Sequence, residues 1–490
     1  MVRDAMAYCG AMPYRLLLAG AALAIAINAR ADSPNARADT LPGPVAQSLQ
    51  RAGIPATAAS LWVQDVDAPR PSTAVNASQP MNPASLIKLV TTFTALEVLG
   101  PAYTWRTEAY LAGPLAGGVL DGDLVLKGHG DPKLTVESFW MLLQGLRARG
   151  LRDIRGDLVL DRSWFEPGNV DPGRFDGEPL RAYNVAPDAL LVNFKTVRFL
   201  FAPEGPGRAV RVIAEPALAN VELSSTVRAV DGPCGDWRAG IRHEVRAVEG
   251  RTLVEFVGAM SAACGERYWN LALLEHRDYV HGLFRAIWES LGGALRGGVR
   301  DGAAPAGARP FAVAESPTAA EVMRDVNKFS NNVMARQVFL TLSAETTRLP
   351  GRADRSARAV QTHLASRGIE LPELVLENGS GLSRQERISA AGLGKVLVAA
   401  WRSPVMPEFV ASLPLVGYDG TMRRRLRDHS AAGQGHVKTG LLAGATGIAG
   451  YVLDRNGRRV AVVFMVNHPN ATAAHPAQDA LLRWIHDGRS

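Results

Sequence analysis

The chain has 490 residues, an apolar fraction of 47% and a formal charge of +7. It is too long for one ordinary core and too apolar for a disordered chain, so two or more domains, or one domain with a large insertion, are expected. The charge surplus is small for this length. Its densest cluster, Arg423, Arg424 and Arg425, comes without any nucleic-acid module pattern and reads as a solvated face, which sets nucleic acid aside as a partner. Ten scattered histidines with no H-E-x-x-H, and three cysteines with no C-x-x-C, offer no metal site, and no cofactor is expected.

Taken in chain order, Arg15 precedes the apolar run LLLAGAALAIAI and an A-x-A pattern at Ala29 and Ala31. Residues 1–31 therefore read as a secretory signal peptide, with Met12 an alternative start. The run is short for a membrane span and no other uninterrupted apolar run reaches ~18 residues, so no anchor is expected after cleavage. Loss of Arg3, Arg15, Arg30 and Asp4 takes the charge from +7 to +5. Cys9 goes with the signal, leaving Cys234 and Cys264 as an even pair in an oxidising compartment, where a disulfide is expected.

A short helix over VAQSLQRAG and a strand over ASLWVQDV come next, then NPASLIKLVTTFTALEVL (82–99). Asn82 and Pro83 are expected as cap and first turn of a buried helix whose apolar stripe is Leu86, Leu89, Val90, Phe93 and Leu96. From about Tyr103 to Gly293 the texture is of short strands broken by Gly, Pro and Asp. Helical patterns return at DYVHGLFRAIWESLGG and at SPTAAEVMRDVNKFSNNVMARQVFLTL, where Ser316 and Pro317 supply the start signals. Three strand candidates, GHVKTG, ATGIAGYVLD and RRVAVVFMVNH, then lead to a final helix over 476–486; the last two strands are joined through Asn456-Gly457, a strong hairpin signal.

Of the seven lysines, only Lys88 has a serine three residues before it, Ser85, and only Lys438 is followed by Thr-Gly. Between them FSNNV supplies Ser330 and Asn332 in a Ser-x-Asn, where one helix is expected to end and another to begin. A serine hydroxyl needs a nearby base. A lysine can serve if burial or a second cation lowers its proton affinity. This ordered set, S-x-x-K, S-x-N and K-T-G, resembles that of penicillin-binding proteins and β-lactamases.

The segments GDLVLKGHGDPKLT, AYNVAPDALLVNFKTV, NGSGLSR and LPLVGYDGTMRRRL extend the resemblance over nearly all of the mature chain. They are similar to the class C low-molecular-mass penicillin-binding proteins, exported D-alanyl-D-alanine carboxypeptidase/endopeptidases of serine peptidase family S13. The resemblance implies an α/β (α+β) fold with an antiparallel sheet flanked by helices. Residues 32–103 and 297–490 would build the catalytic domain, and residues 104–296 a β-rich insertion of two subdomains, which accounts for the 245 residues between Ser85 and Ser330. It implies Ser85 as nucleophile, Lys88 as base and Ser330 as proton relay. Asn332 would hold both substrate and Lys88, Lys438 and Thr439 would take the substrate carboxylate, and Gly440 would admit close packing. The N–H groups of Ser85 and Leu441 would form the oxyanion hole.

Leu441 departs from the family, which has Thr or Ser after K-T-G, and so loses one hydroxyl contact. Relatives that bind diaminopimelate use an Arg with an acidic and an aromatic residue of the insertion, by pattern Arg384, Glu178 (or Asp176) and Tyr183. Peptidoglycan peptides are the expected substrates and β-lactams the covalent inhibitors, in the periplasm. The rival readings are a β-lactamase and a catalytically silent peptidoglycan-binding protein. Ser380 in NGSG does not meet G-x-S-x-G and reads as a turn residue.

Overall fold

A computed structural model describes residues 40–166, 168, 170–248 and 251–488; the expected signal peptide lies outside them. The central sheet has five antiparallel strands in the order Thr73–Val75, Ala59–Asp65, Arg459–Asn467, Ala445–Leu453 and Gly435–Leu442. Its inner strands bury nearly every residue on both faces, because helices cover the sheet on both sides. On one face pack the end helices Gly43–Arg51 and His475–His486, closing a core around Val45, Leu61, Phe464 and Leu481. On the other lie the helices Lys88–Leu99, Ala319–Lys328, Asn332–Thr347 and Ala390–Trp401, with Leu89, Phe93, Val338 and Val463 in one cluster. Among the described residues no helix is long and apolar enough to cross a membrane.

The helix Lys88–Leu99 is buried from its first residue through Leu96. Asn82 does start it, although not as a helix cap: its Oδ1 accepts the N–H of Ala84 at 2.9 Å, and a 3-10 turn, Ala84–Ile87, comes before the α-helix. The start expected at Ser316 and Pro317 falls instead at Thr318, whose capping box with Glu321 opens Ala319–Lys328. Both differences have one cause: Pro signals a helix entrance but cannot say which neighbouring side chain reaches the free N–H groups.

Between Ser85 and Ser330 runs the β-rich insertion, with a core of its own around Phe139, Phe199, Phe256, Tyr279 and Trp288. One five-stranded sheet is ordered Val299–Asp301, Leu158–Asp161, Asp123–Gly128, Arg106–Ala112, Ala312–Glu315. Strand pairing of the insertion therefore runs on to Glu315, past the boundary at 296. A second sheet, Val210–Glu215, Val197–Pro203 and Arg267–Leu271, adjoins a four-stranded one built on Arg251–Ser261. The insertion also holds two helices, Val136–Ala148 and His276–Ser290. The first is not expected from the strand texture, yet Phe139, Leu142, Leu143 and Leu146 bury one face at helical spacing. Cys234 and Cys264 are joined in a disulfide across thirty residues of sequence.

The insertion is tied to the catalytic region through Asn332–Thr347, which is buried nearly all round. Gln337 exchanges hydrogen bonds with the backbone of Asp188 at 3.0 and 2.8 Å, and Trp105 Nε1 donates to Thr341 Oγ1 at 2.9 Å; a further tie, Lys133 to Asp325 at 2.6 Å, is made by the helix Ala319–Lys328.

Candidate active site

Three elements bring the motif residues together. Ser85 sits on the 3-10 turn and Lys88 begins the α-helix, so serine and lysine lie one turn apart, with Lys88 Nζ 3.1 Å from Ser85 Oγ. Ser330 and Asn332 flank the break between Ala319–Lys328 and Asn332–Thr347. Lys438 lies on the edge strand of the central sheet. Ala84 and Ser330, each beside the reacting groups, hold left-handed backbone at φ +47° and +55°, a conformation that a non-glycine residue keeps only where its surroundings impose it.

Lys88 is fully buried. Besides Ser85 Oγ, its Nζ meets the Asn332 side-chain oxygen at 2.7 Å and the carbonyl oxygen of Ser380. Those two partners can only accept. A neutral amine has two N–H bonds and one lone pair, so two acceptors take both hydrogens and the lone pair is left to face the hydroxyl. Burial, then the cation of Lys438, hold the proton affinity of Lys88 well below that of a free lysine. The contacts leave room for a neutral amine, and burial together with the Lys438 cation favours that form of Lys88.

Lys438 Nζ donates to Ser330 Oγ and to the carbonyl of Thr439, both at 2.7 Å, and burial pushes its own value down to about 7. Because Gly435–Leu442 is an edge strand, half of its backbone groups point off the sheet. Val437 N–H points that way, to Pro414 O at 2.9 Å, so by two-residue alternation the N–H groups of Thr439 and Leu441 do as well. Leu441 itself is 49% exposed. Gly440 packs on the nucleophile turn: a Cβ there would stand 2.8 Å from Pro83 O and 3.2 Å from Ala84 Cβ. Thr439 Oγ1 accepts from or donates to Thr421 Oγ1 at 2.9 Å, and Thr446 Oγ1, donating to Gly440 O at 3.0 Å, is held in turn by Gln478 Nε2 at 3.1 Å.

A model of the D-Ala-D-Ala carboxypeptidase 3 (S13) family matches residues 41–487. The chain belongs to this family. It is 29% identical to a D-alanyl-D-alanine carboxypeptidase of an Actinomadura species, covering 96% of this chain and 87% of that one. It is 25% identical to the D-alanyl-D-alanine carboxypeptidase DacB of Haemophilus influenzae, over 80% and 81% of the two chains. The crystal structure of penicillin binding protein 4 from Haemophilus influenzae has the same fold, with a TM-score of 0.76 at 22% identity over 90% of this chain and 99% of that one. That protein has also been solved in complex with a β-lactam, which matches this chain with a TM-score of 0.72 over the same shares at 22% identity.

Beyond the S13 motif residues, a turn that sequence reasoning leaves without a role contributes directly. Residues 378–382 clasp the helix Lys88–Leu99 and the turn before it: Ser380 O meets Lys88, Gly379 O accepts from Thr91 Oγ1 at 2.7 Å, and Gly381 lies against Ser85. A Cβ on Gly381, whose φ is +84°, would stand 2.1 Å from Ala84 O and 2.7 Å from Ser85 N. Only glycine fits there.

Arg384 follows this turn. Its guanidinium lies 4.5 Å over the ring of Phe175, from the insertion, and donates to Ala443 O at 2.8 Å. It borders a cavity of about 310 Å³ shared with Asp171, Arg174, Phe175, Arg336 and Glu377. The other two residues expected beside it are not on that cavity. Tyr183, 41% exposed, donates to Asp176 Oδ2 at 2.8 Å, while Glu178 pairs with Arg181 at 3.3 Å. Asp176 is also held by Asn184 Nδ2 at 2.8 Å, and these bonds lower its proton affinity against the effect of burial. Pattern alone could not choose between Asp176 and Glu178 in a loop of this composition, and Asp171, which does line the cavity, carries no motif of its own.

Proposed function

We infer that this protein is an exported serine D-alanyl-D-alanine carboxypeptidase/endopeptidase that works on peptidoglycan peptides in the periplasm. The observation that carries the reading is the set of contacts at Lys88 Nζ, two acceptors and one hydroxyl. Ser85 Oγ attacks the carbonyl carbon of the penultimate D-alanine as its proton passes to Lys88, and the oxyanion is met by the N–H groups of Ser85 and Leu441. As the C–N bond breaks, the proton reaches the departing amine through Ser330, leaving an ester on Ser85. Water then cleaves the ester and returns the hydroxyl.

Lys438 and Thr439 hold the terminal carboxylate of the substrate, and Asn332 orients both the substrate amide and Lys88. Arg384 is the group for a distal carboxylate such as that of diaminopimelate; Glu178 and Tyr183 have weaker claims from their positions. A β-lactam enters by the same attack. The test is incubation with purified muropeptides and product analysis: free D-alanine or split cross-links appear with the native chain and not with Ser85→Ala.

A further inference from the structure

Behind the site lies a buried acid that this scheme does not use. Glu386 is fully buried, and its Oε1 accepts the N–H groups of Glu377, Asn378 and Gly379 at 3.2, 3.0 and 2.9 Å. Those bonds close the turn that presents the Ser380 carbonyl to Lys88 Nζ. Glu386 Oε2 has no hydrogen-bond partner among the described residues. Two buried basic side chains interact electrostatically with this carboxylate: Lys88, and Arg336 from the helix Asn332–Thr347. Arg336 Nη1 is spent on the carbonyl of Val185 at 3.2 Å, and its Nε has no partner among the described residues.

We propose that Glu386 is the positioning residue for Lys88: as a carboxylate it holds the Ser380 carbonyl against Nζ and balances the charge that Lys438 and Arg336 bring to the site. This rests on Lys88 being the base that activates Ser85. The groups facing Lys88 are Lys438 on the edge strand and Arg336 on the adjoining helix, both lowering its proton affinity, and Glu386, which raises it. Without the acid, a fully buried lysine beside two cations would be too weak a base for a serine hydroxyl. For Glu386 itself, burial raises the proton affinity and outweighs the three N–H groups and Lys88, which lower it.

Glu386→Gln keeps an oxygen for the three N–H groups and removes the charge. The measurement is the pH dependence of penicillin acylation by the full chain, in native and variant proteins. With the base made weaker, the acid limb of the variant moves to lower pH by about one unit, and the plateau rate falls severalfold. A limb that stays in place or moves up overturns the proposal. If Glu386→Gln does not fold, Glu386→Asp replaces it: the charge stays and the reach shortens, so the limb holds while the rate falls, and an unchanged rate overturns the proposal. A native protein with no acid limb would count against Lys88 as the base, which separates that failure from one of Glu386.

Discussion

Replacing Lys438 by Met should make the protein respond differently to pH, by an amount the structure fixes. The Lys438 side chain is fully buried and its value drops from that of a free lysine to about 7 because burial disfavours the ammonium. In the unfolded chain it keeps its ordinary value. Between about pH 7 and pH 10 the unfolded state therefore binds one proton more than the folded state, and stability rises with pH there; below about 7 both states are charged and the full cost of burial is felt. Each pH unit inside that window is about 1.4 kcal/mol, and because Lys438 is already half titrated near pH 7, it contributes roughly 2 kcal/mol of rising stability between about pH 7 and about pH 9 that Met lacks. Other groups are present in both proteins and largely cancel in the difference, Lys88 excepted, which loses a neighbouring cation when Lys438 is replaced. Met fills a similar volume, and the partners it releases, Ser330 Oγ and Thr439 O, belong to half-buried residues at the open site. Urea denaturation of native and Lys438→Met chains at the two pH values, disulfide intact, gives the difference directly. The native protein should gain on the variant by roughly 2 kcal/mol as pH rises, while the variant loses acylation. Parallel pH dependences would mean that Lys438 is not carried as a desolvated lysine, and the electrostatic argument for Lys88 would fall with it.

Other outcomes follow from particular contacts. Gly381→Ala should slow penicillin acylation by an order of magnitude or more, since the added Cβ meets Ala84 O and Ser85 N; stopped-time labelling with a fluorescent penicillin reads this, and a native rate would mean the turn is not pressed against the nucleophile. Changing both Cys234 and Cys264 to Ser opens a loop of thirty residues and should cost about 3–4 kcal/mol in denaturant unfolding, whereas an unchanged midpoint would show that the bond is absent or idle. Arg384→Ala should lower kcat/KM for peptides carrying diaminopimelate far more than for a bare D-Ala-D-Ala mimic, and equal losses on both would make the arginine structural.

The grouping of Ser85, Lys88, Ser330, Asn332 and Lys438 was legible because the spacings within each motif are local. Three residues from Ser85 to Lys88 give one turn of any helix, and the two from Ser330 to Asn332 straddle a helix break that polar residues announce. The hairpin after Lys438 carries its own turn signal in Asn456-Gly457. What escaped is what long-range packing supplies. Ser380 is 292 residues from Lys88, and nothing in NGSG beyond a turn says that its carbonyl will complete a lysine's partners. Glu386 reads as one more surface acid in a polar stretch until three N–H groups are found folded round it. Arg384 could be named from its motif, but its neighbours in the insertion could not. Phe175 and Arg174 reach the cavity through an irregular loop with no periodicity to read, while Tyr183 and Glu178 turn to Asp176 and Arg181. The helix Val136–Ala148 was hidden for a different reason, a run of strand texture on either side.

The account centres on Ser85 forming an acyl-enzyme that water releases slowly when a β-lactam is the acyl donor. A β-lactamase adds a base placed to activate water against the ester, which in class A enzymes is an acidic residue apart from the S-x-x-K lysine. Here no carboxylate hydrogen-bonds Ser85 or Lys88 among the described residues; the partners are Asn332 and Ser380. Intact-mass spectrometry over time after mixing with penicillin tests this most directly. The account predicts one penicilloyl adduct, mapped to Ser85, absent from Ser85→Ala and outlasting peptide turnover by orders of magnitude. An adduct on folded Ser85→Ala, or a rapid return to the unmodified mass with penicillin consumed catalytically, would contradict it.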